Sequence, residues 1–152
     1  MVSKYELFSL SVSCLCRDIQ KIERNEMAKF GLKGPHAQCL LALSRYPEGI
    51  TAAKLCEICE KDKAAISRTL AELEEQGLLK RFERNGIRYR SLLRLTRAGE
   101  MAASAVNQRA QQAVEQAGAG LDDAQREVFY QVLARIAENL HQICQAGLKE
   151  NG

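Results

Sequence analysis

The sequence contains no tryptophan, two histidines (His36 and His141) and two prolines (Pro35 and Pro47), and aromatic residues make up only 5% of it. Two histidines are too few for an all-histidine metal site. So few prolines leave most of the chain free to form uninterrupted helix. There is no run of eighteen apolar residues, which excludes a membrane-spanning helix. The N-terminal stretch MVSKYELFSLSVSC has a short apolar patch, but it carries Glu6 and lacks a basic start and a cleavage site. It does not read as a signal peptide, so a cytoplasmic location is expected. A phosphate loop, a dinucleotide fingerprint and a Ser/His/Asp set are all missing. The expectation is therefore a protein without cofactor or catalytic metal, and not an enzyme.

What is present points to one globular, mainly helical unit. The 152 residues are 46% hydrophobic and 27% charged, and Leu, Ala, Glu, Gln and Arg are abundant. Net charge is only +3, but it is distributed unevenly. Residues 1–75 carry eleven basic and eleven acidic side chains. Residues 76–98 carry seven basic ones (Lys80, Arg81, Arg84, Arg88, Arg90, Arg94, Arg97) against Glu83, a net +6. Residues 99–152 carry four basic against seven acidic, a net −3. A basic segment this concentrated suggests an anionic partner at one place on the surface.

Periodicity gives the elements. Phe8, Val12, Leu15, Ile19 and Ile22 form one stripe of a first helix over about residues 4–29, with Leu7, Leu10 and Cys14 adding a second. A helix apolar on two sides in so small a chain suggests a partner subunit. Gly31, Gly34 and Pro35 punctuate before a second helix that buries Leu40, Leu41 and Leu43. Thr51 caps a short third helix with Leu55, Ile58 and Cys59 inward, and Asp62 caps a fourth with Ile66, Leu70 and Leu73 inward and Gly77 at its end. Alternation then replaces helical spacing: LLKRFERNGIRYRSLLRLT reads as two strands about an Asn85-Gly86 turn. Thr96 caps a fifth helix to about Ala117. Asp122 with Gln125 makes a capping box for a last helix striped by Val128, Val132, Ile136, Leu140 and Ile143.

Short helix, tight turn, helix and hairpin in that order form a winged helix-turn-helix. A helix that enters a major groove needs small or polar side chains on its leading outward face. Opposite the inner stripe of the fourth helix stand Ala64, Arg68 and Ala71, with Ser67 at the margin, and Lys63 in the first turn is a further DNA-binding candidate. Carboxylates come only later, at Glu72, Glu74 and Glu75. Arg84, Arg88 and Arg90 flank the hairpin turn, where they suit phosphates or a minor groove. Thr51 and Lys54 suit a phosphate at the start of the third helix, although capping alone accounts for Thr51.

These pieces resemble the MarR (multiple antibiotic resistance regulator) family over nearly the whole chain. The resemblance rests on GLKGPHAQCLLAL, on ITAAKLCEICEKDKAAISRTLAELEEQGLLKR with Ser67-Arg68, Leu73-Glu74 and Gly77-Leu78, and on RLTRAGE. It implies a homodimer joined by the first, fifth and sixth helices, with residues 1–34 and 97–152 as the helical dimerisation region and 35–96 as the DNA-binding lobe. It further implies binding to pseudo-palindromic operators, usually as a repressor released by a small-molecule effector or an oxidant. The wing departs from the family pattern. The usual Asp-x-Arg pair is replaced by Ile87 and Tyr89, with Arg88 and Arg90 standing one place along. The other reading of the same scaffold is a protein-interaction module that has lost DNA binding.

Of the six cysteines, Cys39 and Cys144 read as core. Cys14, Cys16 and Cys56 are candidate redox residues, with packing as the alternative for each. Cys56 and Cys59 form a CxxC without a second pair, too few ligands for structural zinc.

Overall fold

The computed structural model describes residues 1–84 and 87–150, and the side chains of residues 84 and 87–90 lie outside that description, as does the Asn85-Gly86 turn. Six helices and two strands follow in order: α1 (Lys4–Ala28), α2 (His36–Ser44), α3 (Ala52–Cys59), α4 (Lys63–Glu75), β1 (Leu79–Arg84), β2 (Ile87–Leu95), α5 (Arg97–Ala117) and α6 (Asp123–Ala146). The chain is thus mainly α with one small antiparallel hairpin. It divides into two compact units, Met1–Gln111 and Gln112–Gly152.

In the first unit the helix ends are set by local hydrogen bonds. The side-chain oxygens of Ser3, Thr51 and Asp62 accept the backbone N–H of Glu6, Lys54 and Ala65, satisfying donors that have no partner within the helix. Between α3 and α4 the backbone turns sharply because Glu60 takes a left-handed conformation (φ 50°) and the Lys61 N–H returns to the Cys56 carbonyl at 3.2 Å. At the end of α4, Gly77 adopts φ 73°. Its N–H reaches the Glu74 carbonyl while that of Leu78 reaches Leu73, closing the helix and launching β1.

The core of this unit gathers Leu40 and Leu43 from α2, Leu55 from α3, Ile66, Leu70 and Leu73 from α4, Leu79 and Leu93 from the hairpin and Val106 from α5. The expected inner stripe of α4 is fully buried. Leu41 and Ile58, expected inside, are only partly covered at the rim. Leu79 pairs with Leu95 and Phe82 with Leu92. The ladder changes register between Phe82 and Arg84, so the far end of the wing is irregular. Ile50 bridges to Leu93 through N–H···O bonds of 3.1 and 2.8 Å and adds a third edge to the wing.

In the second unit, Asp122 and Gln125 form the expected capping box at the start of α6. The Arg126 guanidinium donates to the Gly118 carbonyl at 2.9 Å, and Phe129 meets Tyr130 edge to face at 5.4 Å. No residue of α6 is buried. Cys144, expected in the core, is exposed, as are Val128, Val132, Leu140 and Ile143 of the apolar stripe of α6. No helix among the described residues is long and apolar enough to cross a membrane.

Candidate nucleic-acid interface

The α4 helix presents two opposed faces. Ile66, Leu70 and Leu73 are at most 2% exposed. On the other side Ala64, Ser67, Arg68 and Ala71 are open to solvent, as is Lys63 in the first turn. Two small side chains and a hydroxyl let the helix backbone approach a groove closely. Arg68 supplies a planar fork of donors, and among the described residues it makes no ion pair that would hold it back. The Asp62 carboxylate caps the start of this helix by accepting the Ala65 N–H at 2.7 Å.

The acidic residues of α4 are not simply turned away. Glu72 binds the Lys33 ammonium at 2.7 Å and the His36 Nε2 at 2.6 Å, and Glu74 binds the Arg81 guanidinium at 2.9 Å. The hydrogen bonds from Lys33 and then His36 hold the Glu72 carboxyl below its ordinary range. These bonds tie the helix to the start of α2 and to the root of the wing. Sequence reasoning missed this network. The available signal was that His36, Leu40 and Leu43 share one helical face, which places the histidine inside.

Seven cations in residues 76–98 do not all serve one purpose. Arg81 is paired with Glu74. The Arg94 guanidinium donates to the Glu48 carbonyl at 2.9 Å and lies 4.8 Å from the centre of the Phe82 ring. Both brace the lobe. Lys80 is exposed. Arg84, Arg88 and Arg90 are on the strands near the turn, and their side chains lie outside the described residues. Thr51 caps α3 as expected, and Lys54 is exposed with its ammonium 3.2 Å from Glu57, a surface pair weak enough to yield to a phosphate.

Residues 30–86 match the model of the MarR family. That match covers most of the winged lobe. Solved structures extend the likeness to the fold of almost the whole chain. The transcriptional regulator SlyA shares 21% identity at TM-score 0.82, covering 89% of this chain and 94% of that one. MarR shares 26% at TM-score 0.76, covering 90% and 92%. A putative MarR family transcriptional regulator from Listeria monocytogenes, complexed with a 26mer DNA, shares 21% at TM-score 0.77, covering 93% and 96%. Among curated proteins no sequence matches.

Beside the winged lobe, Glu26 of α1 binds Arg109 of α5 at 2.8 Å and Lys29 at 2.9 Å. Hydrogen bonds from Arg109 and then Lys29 bring its carboxyl down to about 2. A cavity of about 720 Å³ lies between α2 and α5, lined by Leu41, Arg45, Ile58, Glu100, Ser104 and Asn107 among others. Cys14 and Cys16 are exposed on α1, and Cys56 is partly covered. Both ring nitrogens of His36 are engaged within the protein, Nδ1 by the Lys33 N–H at 3.1 Å, which leaves neither for a metal.

Proposed function

We propose that the chain is a homodimeric, sequence-specific DNA-binding transcriptional regulator, acting as a repressor that a small ligand or an oxidant releases. The observation that carries this reading is the exposed face of α4, small, polar and basic, set opposite a fully buried stripe and beside a basic wing. Lys63, Ala64, Ser67 and Arg68 enter the major groove. Arg84, Arg88 and Arg90 follow the adjacent phosphates or minor groove, and Thr51 with Lys54 holds a phosphate at the start of α3. Residues 1–34 and 97–152 form the dimerisation region around the 35–96 lobe, and the partner DNA is pseudo-palindromic, each half-site taken by one protomer. The 720 Å³ cavity is large enough for a drug-sized effector and touches both α2 and α5, so an occupant would bias the lobe against its support. The protein works in the cytoplasm and performs no catalysis.

Fluorescence anisotropy on DNA selected from a random pool tests this. Arg68→Ala is expected to weaken the selected sequence by about 1–3 kcal/mol and to relax preference at one position of each half-site. Failure to enrich any sequence at low salt would overturn the reading.

A further inference from the structure

A cavity of about 190 Å³ lies between α2 and α4, with the turn from α3 to α4 as its third side. Ala65, Thr69 and Glu72 recur at helical spacing along its α4 wall, and Arg68 stands at their margin. Lys33 comes from the segment before α2, and Lys61 from the turn. Arg68 is thus on this wall and also on the outward face of α4, so the cavity flanks the surface assigned to the groove. The turn itself fixes the Lys61 backbone, whose N–H returns to the Cys56 carbonyl beside the left-handed Glu60. Lys61 is exposed, and among the described residues its ammonium makes no ion pair.

We propose that this cavity seats one phosphate of the DNA backbone, held by Lys33 and Lys61 beside the groove that Arg68 enters. The proposal rests on the regulator reading and adds two contact residues to it. Lys33, Lys61 and Arg68 against Glu72 leave the walls at a net +2. The volume has room for a phosphate group with water beside it. A helix lying in a major groove brings the flanking strand past its side, so a cationic cavity on that side meets phosphate rather than base. Such a contact fixes the register of the helix and carries no sequence information of its own.

Glu72 lines the same cavity, but it does not face a phosphate as a bare carboxylate. Its Oε1 is bound by the Lys33 ammonium at 2.7 Å and its Oε2 by the His36 Nε2 at 2.6 Å. An ammonium carries three donors, so Lys33 can hold Glu72 with one and a phosphate oxygen with another. Its side chain is 69% exposed, which leaves the remaining donors open to a ligand. Glu72 thereby places Lys33 at the cavity wall and tempers its charge.

The test measures the affinity of the full chain for its selected DNA over a range of salt concentrations, with circular dichroism confirming that each variant is folded. Lys61→Ala is expected to make the slope of log affinity against log salt shallower by about 1.8 in a two-fold complex, about 0.9 for each protomer. Lys61→Arg keeps the parent slope. Sequences selected afresh with Lys61→Ala match those of the parent, whereas Arg68→Ala relaxes them. Lys33→Ala is expected to lower affinity more than Lys61→Ala, because it also bares Glu72 toward the phosphate. Inorganic phosphate, titrated into the DNA-free chain at constant ionic strength, is expected to leave the NMR amide signals of Lys33 and Lys61 unsaturated. Saturable binding there assigns the cavity to a free anion and overturns the backbone seat. Parent-like slopes for both Lys33→Ala and Lys61→Ala overturn the seat and leave the regulator reading standing. Absence of DNA binding by the parent overturns both.

Discussion

His36 accepts the Lys33 N–H at Nδ1, which places the ring proton on Nε2, where it is donated to Glu72. The ring is 1% exposed, so water cannot replace either bond if the side chain is removed. His36→Ala would leave the Lys33 N–H without its acceptor, open a cavity and release Glu72 from one of its two partners. A loss of about 1–3 kcal/mol in urea unfolding is expected. Glu72→Gln keeps the shape and can still accept from His36, so it is expected to cost less. The contrast with Arg68 is useful. Arg68→Ala should weaken DNA binding and leave stability unchanged, because among the described residues Arg68 makes no hydrogen bond or ion pair within the lobe and is exposed. His36→Ala should lower both, because it loosens the helix that carries Arg68. If His36→Ala unfolds at the same urea concentration as the parent, the ring is not an anchor.

At the scale of elements, the starts and ends of helices were legible in the sequence because the interactions that set them are local. Thr51, Asp62, Thr96 and Asp122 each lie within three residues of the N–H they accept, and Gly77 needs only its own backbone to reverse the chain. The inner face of α4 was legible for the same reason, through the spacing of Ile66, Leu70 and Leu73. The braces were not. Glu72 with His36 spans 36 positions and Arg94 with the Glu48 carbonyl spans 46, and no local pattern marks such partners. Arg94 therefore looked like a cation near the body of the lobe, free to meet the DNA backbone or merely to solvate the sheet, and Glu72 like a carboxylate kept away from phosphate. Cys144 looked like core because it sits on an amphipathic helix, and the helix does not say what covers it. Gly99 shows a close approach that sequence cannot reveal. Thr96 accepts its N–H at 3.1 Å while donating to the Gly77 carbonyl, drawing the first turn of α5 against the end of α4. A Cβ at Gly99 would stand 2.0 Å from the Leu78 carbonyl oxygen, an atom fixed in the backbone. Gly99→Ala is expected to destabilise by about 1–3 kcal/mol, read as a lower melting temperature. Unchanged melting would mean that α5 can move away from Leu78 at no cost.

For the whole molecule, the exposed apolar side chains of α1 (Leu7, Leu10, Leu15, Ile19 and Ile22) and of α6 (Val128, Val132, Leu140 and Ile143) are more than a soluble single chain leaves uncovered. Closure on a second copy gives a particle of twice 16.9 kDa by light scattering. The double change Leu15→Glu and Ile19→Lys is expected to give the single mass and to cut affinity for a two-half-site DNA by about 10²–10⁴-fold, since the second half-site is no longer tethered. In the proposed dimer, two-fold symmetry also fixes how charge reports on the interface. Every phosphate contact made by one protomer is made again by its partner, so removing one contact residue removes two counterion releases. The slope of log affinity against log salt should then fall in magnitude by about 1.8 for each contact residue replaced by alanine. Arg88→Ala or Arg90→Ala should show that change if the wing rests on the backbone. Arg81 and Arg94 belong to the same basic segment but are held by Glu74 and by the Glu48 carbonyl with Phe82. Arg94→Ala should therefore lower stability while leaving the slope near that of the parent. Equal slopes for Arg88→Ala and the parent, with a shallower one for Arg94→Ala, would reverse the assignment and make Arg94 a contact residue and Arg88 a bystander.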